Sequence, residues 1–134
     1  MKAVFVDTNI FIYASGDSHP HKNPSQHILE RIARGQIKAV TNTEVLQEIL
    51  YRYWAVKDRN RALLVFDACV KIVPIILPVT RQDVLKAREV LGQYPSIEPR
   101  DAVHAGVMLN RGIKTIYSYD KHYDQIEGIR RVEP

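Results

Sequence analysis

The chain has one cysteine, which excludes a disulfide framework and a thiolate-rich metal cluster. It also lacks any apolar run of membrane length. The amino-terminal segment offers one lysine and then only residues 3–6 before Asp7, too few for a signal peptide or a membrane span. Strong charge of one sign is missing as well: the formal net charge is +4, compatible with a polyanionic partner without establishing one. No internal repeat, low-complexity tract or linker interrupts the 134 residues. One domain over residues 1–134 is therefore expected, burying roughly two thirds of the surface its unfolded form exposes. Cys69 lies in an apolar run and reads as a small core residue of a reducing compartment, so a cytoplasmic location is expected.

Against these absences stands Val4-Phe5-Val6-Asp7-Thr8-Asn9. Residues 3–6 read as a strand buried on both faces, and Asp7 arrives where that strand must end. The carboxyl edge of a central strand is where open α/β sheets bind ligands, so Asp7 is a site candidate; capping of the next segment is the other reading. Thr8 and Asn9 carry short polar groups able to hold the carboxylate.

Downstream, strands and helices alternate. Asn23-Pro24 is expected to cap and open a helix carrying Ile28, Leu29, Ile32 and Ala33, and His19, His21 and His27 read as solvated loop and helix-surface residues. Residues 37–41 form a second strand, followed by a long helix capped by Thr43, with Val45, Leu46, Ile49, Leu50 and Tyr53 facing the core. On that helix Glu48 lies about 60° outside the apolar arc and Glu44 about 100° outside it, so Glu48 is the acid able to lean over the sheet edge.

Asp58 caps a helix in which Ala62, Leu63, Phe66, Cys69, Val70 and Val73 recur at helical spacing. Arg52, Lys57, Arg59 and Arg61 cluster around the preceding turn, as a phosphate-tracking rim or a solvated charged loop. Pro74 and Pro78 bracket a strand that must sit at a sheet edge, because proline cannot donate to a ladder. Thr80 and Asp83 form a capping box for a helix carrying Val84, Leu85, Ala87 and Leu91.

Pro99 opens a helix on which Asp101 shares a face with Ala102, Ala105, Met108 and Leu109. Ala102, Ala105 and Gly106 are expected to let it pack close to the sheet, with His104 a packed or hydrogen-bonded structural residue. A strand over residues 113–117 ends like the first, with Ser118 and then Asp120, and Asp124 follows one turn later within reach of the same place. Residues 129–132 form a last strand whose Arg130 and Arg131 are expected to blunt an exposed edge.

Such alternation argues for a parallel sheet between helical layers joined by right-handed crossovers, which gathers Asp7, Glu48, Asp101 and Asp120 at one end. Two carboxylates about 4 Å apart repel by about 4 kcal/mol at an effective dielectric of 20, so protonation or a cation must relieve the cluster. Oxygen ligands without histidine or cysteine select Mg²⁺ or Mn²⁺ over zinc.

Four segments in order, Val4-Phe5-Val6-Asp7-Thr8-Asn9, Val45-Leu46-Gln47-Glu48-Ile49, Arg100-Asp101-Ala102-Val103-His104-Ala105 and Ser118-Tyr119-Asp120-Lys121-His122-Tyr123, resemble the PIN-domain ribonucleases. The likeness is specifically to the VapC-like toxins of type II toxin–antitoxin systems. Tyr123 stands where that family often has phenylalanine. The resemblance implies a three-layer α/β/α sandwich with a five-stranded parallel sheet of order 3-2-1-4-5, and a Mg²⁺- or Mn²⁺-dependent endoribonuclease that hydrolyses RNA. It implies Asp7, Asp101 and Asp120 as metal ligands, Glu48 as a further ligand or the group orienting the attacking water, and Asp124 as the other claimant to the fourth acid. Thr8, Asn9 and Ser118 would support the ligands, and Arg52, Arg59 and Arg61 would position the RNA backbone. A homodimer and a small antitoxin partner are also implied.

Three alternatives remain at this level: a PIN-like module that binds RNA or protein without cutting, a PIN nuclease of RNA processing, and a different phosphate-handling α/β fold. A receiver domain needs paired acids after its first strand and an aspartate on a middle strand, and the third strand here ends Pro78-Val79-Thr80. A haloacid-dehalogenase-type phosphatase needs a second aspartate where this chain has Asn9.

Overall fold

The computed structural model describes residues 2–134. Its elements are β1 (Val4–Val6), α1 (Thr8–Ser15), α2 (Lys22–Ala33), β2 (Ala39–Asn42), α3 (Thr43–Ala55), α4 (Arg59–Ile72), β3 (Ile75–Leu77), α5 (Arg81–Gln93), α6 (Pro99–Arg111), β4 (Thr115–Tyr117), a 3-10 turn (Lys121–Gln125) and β5 (Arg130–Val132). The strands form one parallel sheet of order β3-β2-β1-β4-β5. Strand order reverses between β1 and β4, the switch point where α/β sheets open a crevice. Right-handed crossovers then put α1 to α4 over one face and α5 with α6 over the other.

Phe5, Val6, Val40 and Ile116 are buried in the sheet, Ile10, Ile49 and Cys69 come from one helical layer, and Ala102, Ala105 and Met108 from the other. Burial pushes the Cys69 thiol up to about 12, so it stays protonated and inert.

Several local expectations shift. Helix α2 begins at Lys22 without a side-chain cap, and Pro24 is accommodated in its first turn, where its missing N–H has no intrahelical partner to lose. The cap of α3 is Asn42, whose Oδ1 accepts from Val45 N at 3.0 Å, so Thr43 is the first helical residue instead. The buried face of α4 runs through Ala62, Val65, Cys69 and Val73, which leaves Leu63 and Val70 half exposed; on α5, Val84 and Leu85 are likewise half exposed while Ala87 and Val90 are buried. On α3, Leu50 too is exposed.

Helix α5 packs on α6. Gly106 serves that approach: a Cβ there would stand 2.6 Å from the Asp83 carbonyl oxygen. The small-residue face of α6 thus admits α5 at Gly106 as well as the sheet. Asp83 closes the capping box with Thr80 and accepts from Asn110 and Arg111, and these donors outweigh its burial and hold its carboxyl well below the usual range.

The histidines expected on a solvated loop pack into a ring cluster. His21 stacks on Tyr119 with centroids 3.8 Å apart, and Tyr13 lies 4.6 Å from His19. The Tyr119 hydroxyl meets the Ser25 hydroxyl at 3.1 Å, which ties the first turn of α2 to the end of β4.

Candidate metal centre

Asp7 ends β1 and caps α1, so both readings of it hold. One oxygen, Oδ1, accepts from Thr8 N at 2.8 Å, and Oδ2 accepts from Ser118 Oγ at 2.6 Å and from Asn9 Nδ2 at 3.3 Å. Asn9 Nδ2 also reaches Ser118 Oγ at 3.2 Å, and Asp120 N donates to that same oxygen at 3.0 Å. Thr8, Asn9 and Ser118 thereby lock the ends of β1 and β4 together across the switch point. Burial raises the Asp7 carboxyl above its ordinary value, and the neighbouring His104 and the Ser118 bond pull the other way.

Asp101 stands in the first turn of α6 and is buried. Its Oδ1 accepts from the Tyr123 hydroxyl at 3.0 Å. Burial, followed by its contact with Asp120 and the charge of Asp7, pushes Asp101 up to about 9. Asp120 is drawn the other way: burial opposes its charge, but the proton held by Asp101 and donors from His122 keep it below its ordinary value. The two carboxylates titrate together, and burial favours the neutral form at Asp101. Ligand atoms of Asp101, Asp120 and His122 lie within 4.8 Å of one another. His122 Nδ1 sits 3.0 Å from Asp120 Oδ1, which makes it Asp120's partner.

Glu48 reaches over the sheet edge from α3, as its helical angle predicts. His104 Nε2 donates to its Oε1 at 2.7 Å, while Asn42 Nδ2 donates to His104 Nδ1 at 3.0 Å. The Asn42 amide cannot turn round, since its oxygen already caps α3. Nδ1 is therefore an acceptor and the ring proton sits on Nε2. Burial works against a charged His104, and the carboxylates of Glu48 and Asp7 pull its pKa above the ordinary value.

These side chains meet in one pocket of about 340 Å³ lined by Asp7, Thr8, Glu48, Asp101, Asp120 and His122, with Arg52, Glu98 and Ser96 at its rim. Thr8 lines it, and its Oγ1 is buried without a partner among the described residues, an orphan polar atom beside the acids. An oxygen-rich pocket with a trapped proton and an orphan hydroxyl fits a hard divalent ion.

Three expected site residues fall elsewhere. Asp124 is exposed and held by Arg131, whose Nε and Nη2 donate to it at 2.9 and 3.1 Å, so the bidentate pair turns it away from the pocket. Arg131 also donates to the Ser118 carbonyl at 3.0 Å, and is a clamp on the site's underside where an edge charge was expected. Arg61 pairs with Asp58 at 3.4 Å, and Arg59 lines an apolar groove with Leu50, Tyr51, Trp54 and Leu63.

Tyr123 and His122 were missed as partners of Asp101 and Asp120, and Asn42 as the partner of His104. Tyr123 carried a signal, because a hydroxyl on an otherwise apolar position needs an acceptor when buried.

The PIN domain family model matches residues 4–129. The chain belongs to the PIN-domain family. Among curated relatives of this PIN domain, ribonuclease VapC13 of Mycobacterium tuberculosis is 42% identical over 129 residues, covering 96% of this chain and 98% of the relative. Among solved structures, VapBC2 from Rickettsia felis, bound to a DNA fragment from its promoter, superposes with a TM-score of 0.77 at 18% identity over 98% of both chains. VapC20 from Mycobacterium tuberculosis, described as a sarcin-ricin loop cleaving toxin, gives 0.76 at 20% identity over 98% of this chain and 99% of that one. At those identities the two structures establish the fold. No helix among the described residues is long and apolar enough to cross a membrane.

Proposed function

We propose that residues 1–134 form one divalent-metal-dependent endoribonuclease domain, the toxin of a toxin–antitoxin pair, acting in the cytoplasm as a homodimer. The observation that carries this reading is the meeting of Asp7, Glu48, Asp101 and Asp120, from four separate elements, in one pocket. The family and the VapC13 relative supply the ribonuclease activity and, with the VapBC structure, the antitoxin partner.

Asp7, Asp101 and Asp120 are the residues that would hold the ion, and an oxygen donor set suits Mg²⁺ or Mn²⁺. When bound, the ion supplies Lewis-acid polarisation of the scissile phosphate and lowers the pKa of a water. Thr8, Asn9 and Ser118 aim Asp7 and favour its charged form against burial, Tyr123 does the same for Asp101, and His122 for Asp120. Glu48 has Oε1 fixed by His104, so its other oxygen is free to accept a proton from, or align, the attacking water. Arg52 at the rim meets the phosphate backbone; Arg59 and Arg61 are too far round the α3–α4 turn to do so at this pocket.

Incubating the purified protein with mixed structured RNAs tests this. Discrete fragments are expected with Mg²⁺ or Mn²⁺, and none with EDTA or with D101N. Cutting that persists in EDTA, or in D101N at the wild-type rate, overturns it.

A further inference from the structure

The acid pocket poses an electrostatic problem for any nucleic-acid substrate. Five carboxylates line it, from Asp7, Glu48, Glu98, Asp101 and Asp120, and Arg52 is the single Lys or Arg among its lining residues. Attraction for a phosphate backbone has to come from another surface.

The opposite end of the sheet supplies one. A concavity of about 920 Å³ there is lined by Lys2, Lys38, Arg111, Lys114 and Arg130, with no Asp or Glu among the lining residues. The strand register lays these cations in a row. Val4 pairs with both Ala39 and Thr115, and Thr115 pairs with Arg130. Lys38 and Lys114 therefore immediately precede β2 and β4, Lys2 stands two residues before β1, and Arg130 opens β5. Four adjacent strands each present a cation at their amino ends, about 4.8 Å from one strand to the next and so about 14 Å in all.

The main chain that carries them is fixed. Val4 N donates to the Lys38 carbonyl at 2.9 Å and Arg130 N donates to the Lys114 carbonyl at 2.7 Å.

Helix-dipole compensation accounts for only part of the row. Helix α6 ends beside it, and Arg111 in its last turn both answers the dipole and pairs with Asp83 at 2.6 Å. Lys2, Lys38, Lys114 and Arg130 are exposed and have no salt-bridge partner among the described residues. Like charges at this spacing repel by up to about 1 kcal/mol per neighbouring pair even in water, a cost that a polyanion laid along the row removes.

We infer that this amino edge of the sheet is an RNA-backbone exosite, which holds phosphates of the substrate outside the stretch that enters the acid pocket. It rests on the reading of RNA as the substrate. It adds a second anchoring surface that reads backbone charge, so it sets affinity and the preference for long or folded RNA rather than the base at the cut.

The test uses K38E/K114E and the charge-preserving K38R/K114R, each combined with D101N so that RNA is bound but not cut. Anisotropy titrations with a structured RNA at 50 and 200 mM salt give affinity and salt slope. The expected result is at least tenfold weaker binding by the glutamate variant and a shallower slope of log K against log salt by about 1.5–2, with the arginine variant near its parent. In the cutting-competent background, kcat/KM for the long RNA should fall far more than for a short strand covering only the cut. Equal affinity and slope in all three proteins overturn the exosite, as does loss in the arginine variant equal to that in the glutamate variant. Binding that depends on the lysines in a protein that cuts no RNA leaves the exosite standing and removes the nuclease reading; cutting indifferent to them does the reverse.

Discussion

His104 Nε2 donates to Glu48 Oε1 at 2.7 Å, and both ring nitrogens of this fully buried histidine are engaged. The ring thus links the cap of α3 to the acid that leans over the sheet edge. Its position three residues after Asp101 places the two on neighbouring faces of α6, so one helix supplies a carboxylate and the support for another.

Replacing His104 with alanine removes a packed ring and strands the Asn42 amide, and should cost about 2–4 kcal/mol of stability. It also frees Glu48, so RNA cleavage should fall roughly 10- to 100-fold through kcat with KM little changed. Thermal melts and steady-state cleavage, run well below the variant's melting temperature, check both. A fall in KM-dependent binding alone would mark His104 as purely structural.

Asp101 predicts a pH dependence. The folded chain keeps that proton up to about pH 9, and the unfolded chain releases it near pH 4, so the folded state binds more protons between those values. Stability of the metal-free protein should fall as pH rises through that window. D101N removes the proton-binding group and keeps an oxygen to accept from Tyr123. In EDTA at pH 8 it should melt a few degrees above the wild type, the scale of about 1 kcal/mol in a domain this size, with the gap closing towards pH 5. Mn²⁺ should raise the wild-type melt and leave D101N nearly unmoved.

The two claimants to the fourth acid separate cleanly. D120N should abolish cleavage, because Asp120 stands beside Asp101 with its ligand atom within 4.8 Å and lines the pocket. D124N should leave cleavage within a few-fold of wild type, since Asp124 faces Arg131 and solvent. Equal losses in the two variants in the cleavage assay would contradict this division.

How much of this was legible in advance follows from range. Sheet order, edge strands and the convergence of Asp7, Glu48, Asp101 and Asp120 follow from strand-end placement, the proline bracket and helical angle, with the family resemblance fixing the order. What stayed hidden depends on pairings between distant residues. Asp120 is favoured over Asp124 by its place nearer the strand end and by Ser118 two residues before it, but what holds Asp124 outside, the fork of Arg131 from a later strand, has no local signal. The wide apolar faces of α4 and α5 have more hydrophobic positions than the core can bury, so periodicity alone left their rotation open; the Gly106 contact with α5 fixes one of them. The cap of α3 was misplaced by one residue because Asn42 and Thr43 are both good caps, and the demand of His104 for a donor selects Asn42.

Tyr123 offers the sharpest test of proton control. Its hydroxyl donates to Asp101 Oδ1 at 3.0 Å from a fully buried ring, so it stabilises the charged carboxylate that burial opposes. Y123F keeps the ring and removes only that donor. The Asp101 pKa should rise further, and an incoming ion must then displace a more tightly held proton. Calorimetric titration with Mn²⁺ should show a few-fold weaker binding near pH 7, narrowing as the pH approaches the range where the proton no longer competes. Because metal binding expels this proton, titrations in two buffers of different ionisation enthalpy should report close to one proton released per ion in both proteins. If Y123F binds as tightly as wild type at every pH, the phenol packs beside Asp101 without tuning it.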